Sequence, residues 1–247
     1  MATPKPEDMS EEVQAVAATN AFDPEQMDER RLSDHLSTQI IEIVVGTSRR
    51  RTFYIHESLL CHASEKLSVQ LRGPFKEAQT GKIADCEEDP SLYAFFADYL
   101  YHDGWLRDPS KIEDDVEWVL LARLYAMGER LGAKVFQNAC LWRFWHSITR
   151  YSDIGDSEIC QLLATTTELP ERSNKDDDPL RSLVLWYTAS RISSLRNSQE
   201  FKDLIFTDHP ELGSQILMWV ADNKENHDPV CVTRPSERFI DEVEYIY

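Results

Sequence analysis

The sequence is poor in basic residues. Lysine and arginine together number 26 against 44 aspartates and glutamates, so the chain of 247 residues has a formal net charge of −18. Phosphate backbones attract basic surfaces and repel acidic ones, so this charge argues against non-specific nucleic-acid binding. The one basic cluster, "SRRR" at 48–51, is expected to be a solvated turn.

Long apolar runs are also missing. The longest ones, such as "WVLLA" at 118–122, are far shorter than the ~20 residues that a membrane-spanning helix needs. The first residues, "MATPKPEDMSEE", have neither the apolar stretch of a secretory signal nor the arginines of a transit peptide. We therefore expect no membrane partner and a location in the cytoplasm, the nucleus or both.

Cysteine and glycine are sparse in ways that exclude several kinds of site. The five cysteines form no CxxC pair and are odd in number, which argues against a complete disulfide framework and suits a reducing compartment. Only eight glycines occur, and none belongs to a glycine-rich phosphate loop. The GxSxG and HExxH motifs are absent as well. We expect no enzymatic activity and no cofactor.

Acidic segments flank a patterned centre. Residues 1–37 carry nine acids and three bases and are predicted to be a mobile acidic leader, in which Leu32 and Leu36 could seed a short helix. Residues 223–247 are predicted to be an acidic tail, although the closing "FIDEVEYIY" is more apolar and could dock elsewhere. The hydrophobic content of 42% is sufficient for a core between the two segments.

The first part of the centre predicts a small sheet. "QIIEIVVG" at 39–46 and "RTFYI" at 51–55 are rich in β-branched and aromatic residues and are separated by a turn, which is typical of a β-hairpin. Two short helices are expected next, the second capped by Ser64. "GKIADCE" at 81–87 predicts a brief third strand.

The remainder predicts only helices. Asp89 as N-cap and Pro90 at the first helical position begin one helix, and Gly132 ends the following one after a capping box of Asp114 with Glu117. Later helices are expected at 133–148, 157–166, 179–194, 199–206 and 210–222. Acidic runs before helix starts, such as 176–178, are expected to interact with the helix dipole and not with a metal ion. Strands followed by helices alone predict the α+β class.

Apolar spacing predicts which helix faces form the core. The expected stripes are Leu92, Phe95, Phe96 and Tyr99 in the helix of Pro90; Val116, Leu120, Leu124, Met127 and Leu131 in the next; and Val135, Ala139, Trp142 and Trp145 or His146 in the third. Phe96 and Trp118 in particular are expected to be core residues.

The stretch "FYIHESLLCHAS" at 53–64 suggests a metal site or a Cys/His nucleophile. At ~100° per helical residue, however, His62 and Cys61 do not share a face with His56. Glu57 and Glu65 would raise the pKa of the Cys61 thiol, which disfavours a thiolate. We therefore expect no metal and no catalytic residue here: His56 lies at a strand–helix junction with its ring bonded to the backbone, and Cys61 lies in the core.

The stretch "LYAFFADYLYHDGW" at 92–105 has aromatic or apolar residues around most of the helix. A helix of this kind cannot bury every face in a thin core, and tyrosine and tryptophan are enriched at protein interfaces. The candidate partner interface is Tyr93, Phe95, Tyr99, Tyr101 and Trp105.

An ordered set of residues resembles the BTB/POZ domain, in the form common in filamentous-fungal proteins. The matching pattern is a hairpin ending in F-x-[IV]-H, a helix with L-L-x-x-x-S, then G-x-F-K-E, and a [DE]-D-P helix ending in [WY]-L-Y. The residues that carry it are Phe53, Ile55, His56, Leu59, Leu60, Ser64, Gly73, Phe75, Lys76, Glu77, Asp89, Pro90, Leu100 and Tyr101.

The resemblance implies a small sheet capped by helices over residues 38–150, followed by a helical extension at 151–222. It implies that five residues determine the fold: His56, Ser64, Gly73, Asp89 and Pro90. It also implies a non-enzymatic protein-interaction module that self-associates, as a homodimer for example, or acts as a scaffold.

The alternative is a substrate adaptor of a cullin-type ubiquitin ligase. Adaptors in the family often carry a hydrophobic-x-Glu pattern in the helix that resembles 90–101. Here the glutamate position is Ala94, which argues against cullin binding.

Overall fold

A computed structural model describes residues 32–85, 87–101, 118–150, 154–169 and 178–222 of the chain. Most of the predicted leader, all of the tail after Asp222, Trp105, and the capping box of Asp114 with Glu117 lie outside these residues. The strands are β1 (Ile40–Val45), β2 (Arg51–His56) and β3 (Lys82–Asp85). The helices of the first half are α1 (Leu32–His35), α2 (Glu57–Ala63), α3 (Glu65–Arg72), α4 (Lys76–Thr80), α5 (Pro90–Tyr101) and α6 (Trp118–Leu131).

Helices alone make up the second half of the described chain. They are α7 (Lys134–Arg150), α8 (Asp156–Thr167), α9 (Pro179–Ser190), α10 (Ile192–Leu195), α11 (Gln199–Asp203), a π-helical turn (Leu204–Asp208) and α12 (Pro210–Asp222). The chain therefore has the predicted α+β composition, with one small sheet and mostly helices. No helix among the residues described is long and apolar enough to cross a membrane.

The sheet has three strands in the order β2-β1-β3. Strands β1 and β2 form the predicted hairpin, in which Ile43 lies opposite Phe53. Strand β3 pairs with the other edge of β1 in parallel, and Ile83 lies opposite Ile43. This parallel pairing requires a long connection, which the three helices α2–α4 supply. Only two helices were expected in this connection, and α4 was not predicted. Alternate residues of β1 and β2 face the core, so the opposite face of the sheet is the outer face.

Local signals at helix ends are confirmed. Helices α5, α9 and α12 begin at Pro90, Pro179 and Pro210, and the Asp178 carboxylate accepts the N–H of Leu180 at the start of α9. Helix α6 ends before Gly132, which adopts a positive φ of 63° that glycine tolerates best. The helix expected at 179–194 is interrupted at Arg191, and the one expected at 199–206 becomes the π-helical turn after Asp203.

The predicted core stripes are corrected in three helices. In α6, Trp118 and Leu120 are only half-buried, whereas Leu121 is buried. In α5 the buried residues are Leu92, Tyr93, Phe96 and Tyr99, and Phe95 points outward. In α7, Trp142 is only half-buried, and its ring stacks on His146 at 5.3 Å. Buried positions of α7 include Phe136, Cys140, Arg143 and Phe144. Since several periodic stripes fit these aromatic-rich sequences, the neighbouring elements decide which one is buried.

The second half of the chain packs on the first through helices. Helix α8 contacts α6, and α7 contacts α6 and α2. Within the second half, α9 contacts α7 and α12, and α11 contacts α8. Buried apolar residues from the sheet and from helices of both halves form one cluster. The predicted boundary between a domain at 38–150 and an extension at 151–222 stays a prediction.

Candidate protein-interaction surface

The junction of β2 and α2 is held by a tyrosine from α5. The Tyr101 hydroxyl lies 3.2 Å from the backbone N–H nitrogen of His56 and 2.8 Å from its Nδ1. A hydroxyl can accept from one group and donate to another. Tyr101 therefore satisfies both groups when it accepts from the backbone and donates to a neutral ring.

The predicted position of His56 at the strand–helix junction is confirmed, but its predicted ring partner is wrong. The imidazole meets a side-chain hydroxyl from α5, 45 residues later, where a backbone group was expected. The contact joins the end of the hairpin to the end of α5. Tyr101 is half-buried and engaged in this contact, so it offers a partner less surface than expected for an interface residue.

The three side chains that suggested a metal site or nucleophile have separate surroundings. His56 meets Tyr101, whereas His62 is exposed and its ring lies 5.7 Å from that of His35. No group of three or more metal-binding side chains occurs among the residues that the structure describes.

Burial raises the pKa of the three cysteine thiols that the structure describes. Desolvation is the main cause that raises the pKa of Cys61, which is half-buried and not in the deep core as expected; Glu57 adds to the shift, and Arg72 opposes it. Burial likewise raises the pKa of Cys140, and that of Cys160 to about 11. Raised pKa values keep these thiols protonated, which disfavours nucleophilic chemistry.

Two of the predicted interface residues are core residues. The side chains of Tyr93 and Tyr99 are 0% and 6% exposed. The Tyr93 ring lies 5.1 Å from Phe53 of the hairpin, and the Tyr99 ring lies 5.0 Å from Phe136 of α7. The assignment of these tyrosines to a partner interface is therefore corrected, because α5 lies between elements that cover both of them.

Phe95 is the member of the predicted set that faces outward. Its side chain is 37% exposed. Trp105 lies outside the described residues. Within the described part of the predicted interface, Phe95 and the half-buried Tyr101 are therefore the residues near the surface.

Buried charge fixes the segment between β3 and α5. The Glu88 carboxylate is buried and accepts two hydrogen bonds from Arg130 of α6, both 2.8 Å long. This pairing raises the pKa of Arg130. Desolvation is the main cause that raises the pKa of the nearby Asp85, since burial disfavours its charged form.

Asp89 has the structural role that the sequence predicted for it. Its carboxylate accepts the N–H of Ser91, 2.8 Å away, and pairs with Arg123 at 3.0 Å. The Ser91 bond is the main cause that holds the pKa of Asp89 below its usual value, with a smaller contribution from Arg123. The first turn of α5 is thus capped by Asp89 and joined to α6.

The other three residues predicted to determine the fold also make specific contacts. The Ser64 hydroxyl accepts the N–H of Leu67, as predicted for an N-cap, and donates to the carbonyl of Leu131. A Cβ at Gly73 would lie 2.6 Å from a backbone oxygen and 2.7 Å from the Phe75 ring. The Pro90 ring packs so closely on Gly46 that a Cβ there would lie 2.8 Å from it.

Several large apolar side chains outside the predicted interface are exposed. Tyr54 on the outer face of the sheet is 66% exposed. Near the end of the described chain, Phe206 of the π-helical turn and Leu217 and Met218 of α12 are 76%, 67% and 68% exposed. We call the last three residues the terminal patch. Strand alternation could have placed Tyr54 outside, but only the packing of α12 on α9 reveals the terminal patch.

No family model matches the chain, and no curated protein matches it. The function is therefore inferred from the residues and geometry of this chain itself.

Proposed function

We propose that this chain is a non-enzymatic protein-interaction module of the BTB/POZ type, which self-associates or acts as a scaffold. The terminal patch carries the proposal. Large apolar side chains that are exposed on neighbouring elements are candidates for contact with another polypeptide. Phe206, Leu217 and Met218 occur on two consecutive helical elements that contact each other.

Two further features support the proposal. The residues that resemble the BTB/POZ pattern make contacts between distant parts of the chain, such as His56 with Tyr101 and Ser64 with Leu131. The pKa values of the described thiols are raised, which disfavours their use as catalytic nucleophiles.

Light scattering after size-exclusion chromatography tests self-association. We expect the wild-type chain to form a dimer whose population rises with concentration, and Leu217→Ser with Met218→Ser to shift it toward monomer. Leu36→Ser with Val69→Ser is the matched control, since both side chains are exposed elsewhere on the surface. Equal effects of the two double variants would show that the terminal patch is not the contact.

The scaffold form of the proposal requires a different protein partner. Quantitative affinity purification should recover that partner with the wild-type chain and with the control, but not with the terminal-patch variant. A strictly monomeric chain that recovers no partner in a variant-dependent way contradicts the proposal as a whole.

The cullin-adaptor alternative stays a prediction. Position 94 of α5 is a half-buried alanine, so it offers a methyl group where the family pattern has a carboxylate. Co-expression with a cullin at matched levels separates the alternatives: stable co-purification favours the adaptor, and its absence favours self-association or scaffolding.

A further inference from the structure

The open edge of β2 presents backbone groups that can bind another strand. Strand β2 is at one edge of the sheet. The hairpin register continues beyond it, where the N–H of Glu57 bonds to the carbonyl of Gln39 at 2.8 Å. In an antiparallel pair, residues alternate between those bonded to the neighbour and those that point away. Odd-numbered residues of β2 therefore bond to β1, and even-numbered residues point outward.

His56 is the even-numbered residue of β2 at which a hydrogen bond shows the outward direction of the backbone N–H. The His56 N–H reaches Tyr101, which lies away from β1. By the same alternation, Thr52 and Tyr54 direct their N–H and C=O groups to the open side. Both side chains are exposed, and within the described parts of the chain no backbone partner on that side is found for either residue. Such an edge is a template for an added strand.

Basic charge lies beside this edge. Arg49, Arg50 and Arg51 are exposed, and none of them forms an ion pair with another residue that the structure describes. The Arg51 guanidinium lies over the Phe53 ring at 5.1 Å. On a chain of net charge −18, this basic cluster favours an acidic occupant.

The sequence of the chain itself contains a segment with matching chemistry. Residues 239–247, "FIDEVEYIY", combine three acids with β-branched and aromatic residues, the composition that favours strands. Residues 1–31 are also acidic, but Phe22 is their single aromatic residue. The closing segment therefore fits the edge better than the leader does.

The intervening chain is long enough for the closing segment to reach the hairpin. Helix α12 ends at Asp222, and 16 residues, 223–238, precede the segment. Sixteen extended residues span up to ~50 Å, whereas a compact chain of this size is roughly 40 Å across.

We propose that residues 239–247 bind the open edge of β2 as an added strand, which brings their acidic side chains close to the basic cluster of Arg49–Arg51. The inference does not depend on the proposed self-association, which uses the terminal patch.

Amide hydrogen exchange in the full-length protein, followed by NMR, tests the proposal at individual residues. Asp241→Lys with Glu244→Lys should accelerate exchange of the Thr52 and Tyr54 amides about tenfold, because these amides lose their hydrogen-bond partners. The matched control is Glu225→Lys with Asp228→Lys, which makes the same charge change outside the segment and should leave both rates unchanged. The amide of Phe53, which bonds within the hairpin, reports that the fold is intact.

Charge exchange provides the second arm of the test. Arg49→Glu with Arg50→Glu should accelerate the same two amides, and its combination with Asp241→Lys and Glu244→Lys should restore slow exchange. Equal rates in the wild type and the Asp241/Glu244 variant would overturn the proposal, as would failure of the combined variant to recover protection. If the exchange rates of the Thr52 and Tyr54 amides depend on protein concentration, the bound segment belongs to a second copy of the chain. That result would overturn binding within one chain.

Discussion

Replacing Tyr101 by phenylalanine tests the contact that joins the hairpin to α5. The change removes one hydroxyl and keeps the ring, so it opens almost no cavity. It leaves the backbone N–H and the Nδ1 of His56 without their partner at 3.2 and 2.8 Å. A typical hydrogen bond contributes about 0.5–1.5 kcal/mol, so two bonds at this half-buried site predict a loss of about 1–3 kcal/mol.

The free energy of unfolding at 25 °C, from urea titration followed by circular dichroism, measures this loss. Tyr54→Phe is the matched control, since its hydroxyl belongs to a side chain that is 66% exposed. We expect the control to change stability by no more than ~0.5 kcal/mol. The slope of the free energy of unfolding against urea concentration should be unchanged in both variants, because the surface exposed on unfolding is the same.

A double-mutant cycle shows whether the loss comes from this contact. His56→Ala should also destabilise the chain, by about 1–3 kcal/mol, and the combination with Tyr101→Phe should cost less than the sum of the two single changes. Strict additivity, or a Tyr101→Phe variant as stable as the Tyr54→Phe control, would refute the reasoning.

Four further substitutions probe other parts of the fold. Arg130→Met should cost about 3 kcal/mol because it leaves the buried Glu88 carboxylate without a partner, and Glu88→Gln should cost less because Arg130 keeps access to water; equal losses in urea titrations would contradict this. Asp89→Asn should be less stable than the wild type at pH 7 and equal to it in strong acid, since a lowered folded pKa gives stability that is lost as pH falls through that pKa; a difference that persists in acid would contradict the charge effect. Gly46→Ala should cost about 1–3 kcal/mol, measured as a lower Tm, because Gly46 has a φ of 88° and its Cβ would lie 2.8 Å from Pro90; an unchanged Tm would show that the turn can relax.

The sequence predicted features that depend on near neighbours. The hairpin strands and the third strand lie within two residues of their predicted bounds, and Ser64 caps α3 through the N–H of Leu67, three residues away. Such features follow from the alternation of strand side chains and from hydrogen bonds within one helical turn, both of which a short stretch of sequence contains.

The sequence failed where several helix faces were equally apolar. Helix α5 has aromatic residues at 93, 95, 96, 99 and 101. Periodicity put Phe95 and Tyr99 in the core stripe, while the candidate interface included both of them together with Tyr93. The structure buries Tyr93 and exposes Phe95, because the Phe53 ring of the hairpin packs on the side that carries Tyr93. The candidate contact surface is therefore the terminal patch and not α5.

The sequence by itself determined the three strands, the helix starts at Pro90, Pro179 and Pro210, and the excess of negative charge, since each depends on composition or on residues a few positions apart. Tertiary structure alone decided that β3 runs parallel to β1, that His56 meets Tyr101, and which apolar side chains stay exposed. The physical reason is distance along the chain: the His56–Tyr101 contact joins residues 45 positions apart, and no local pattern specifies which distant surface will cover a given side chain.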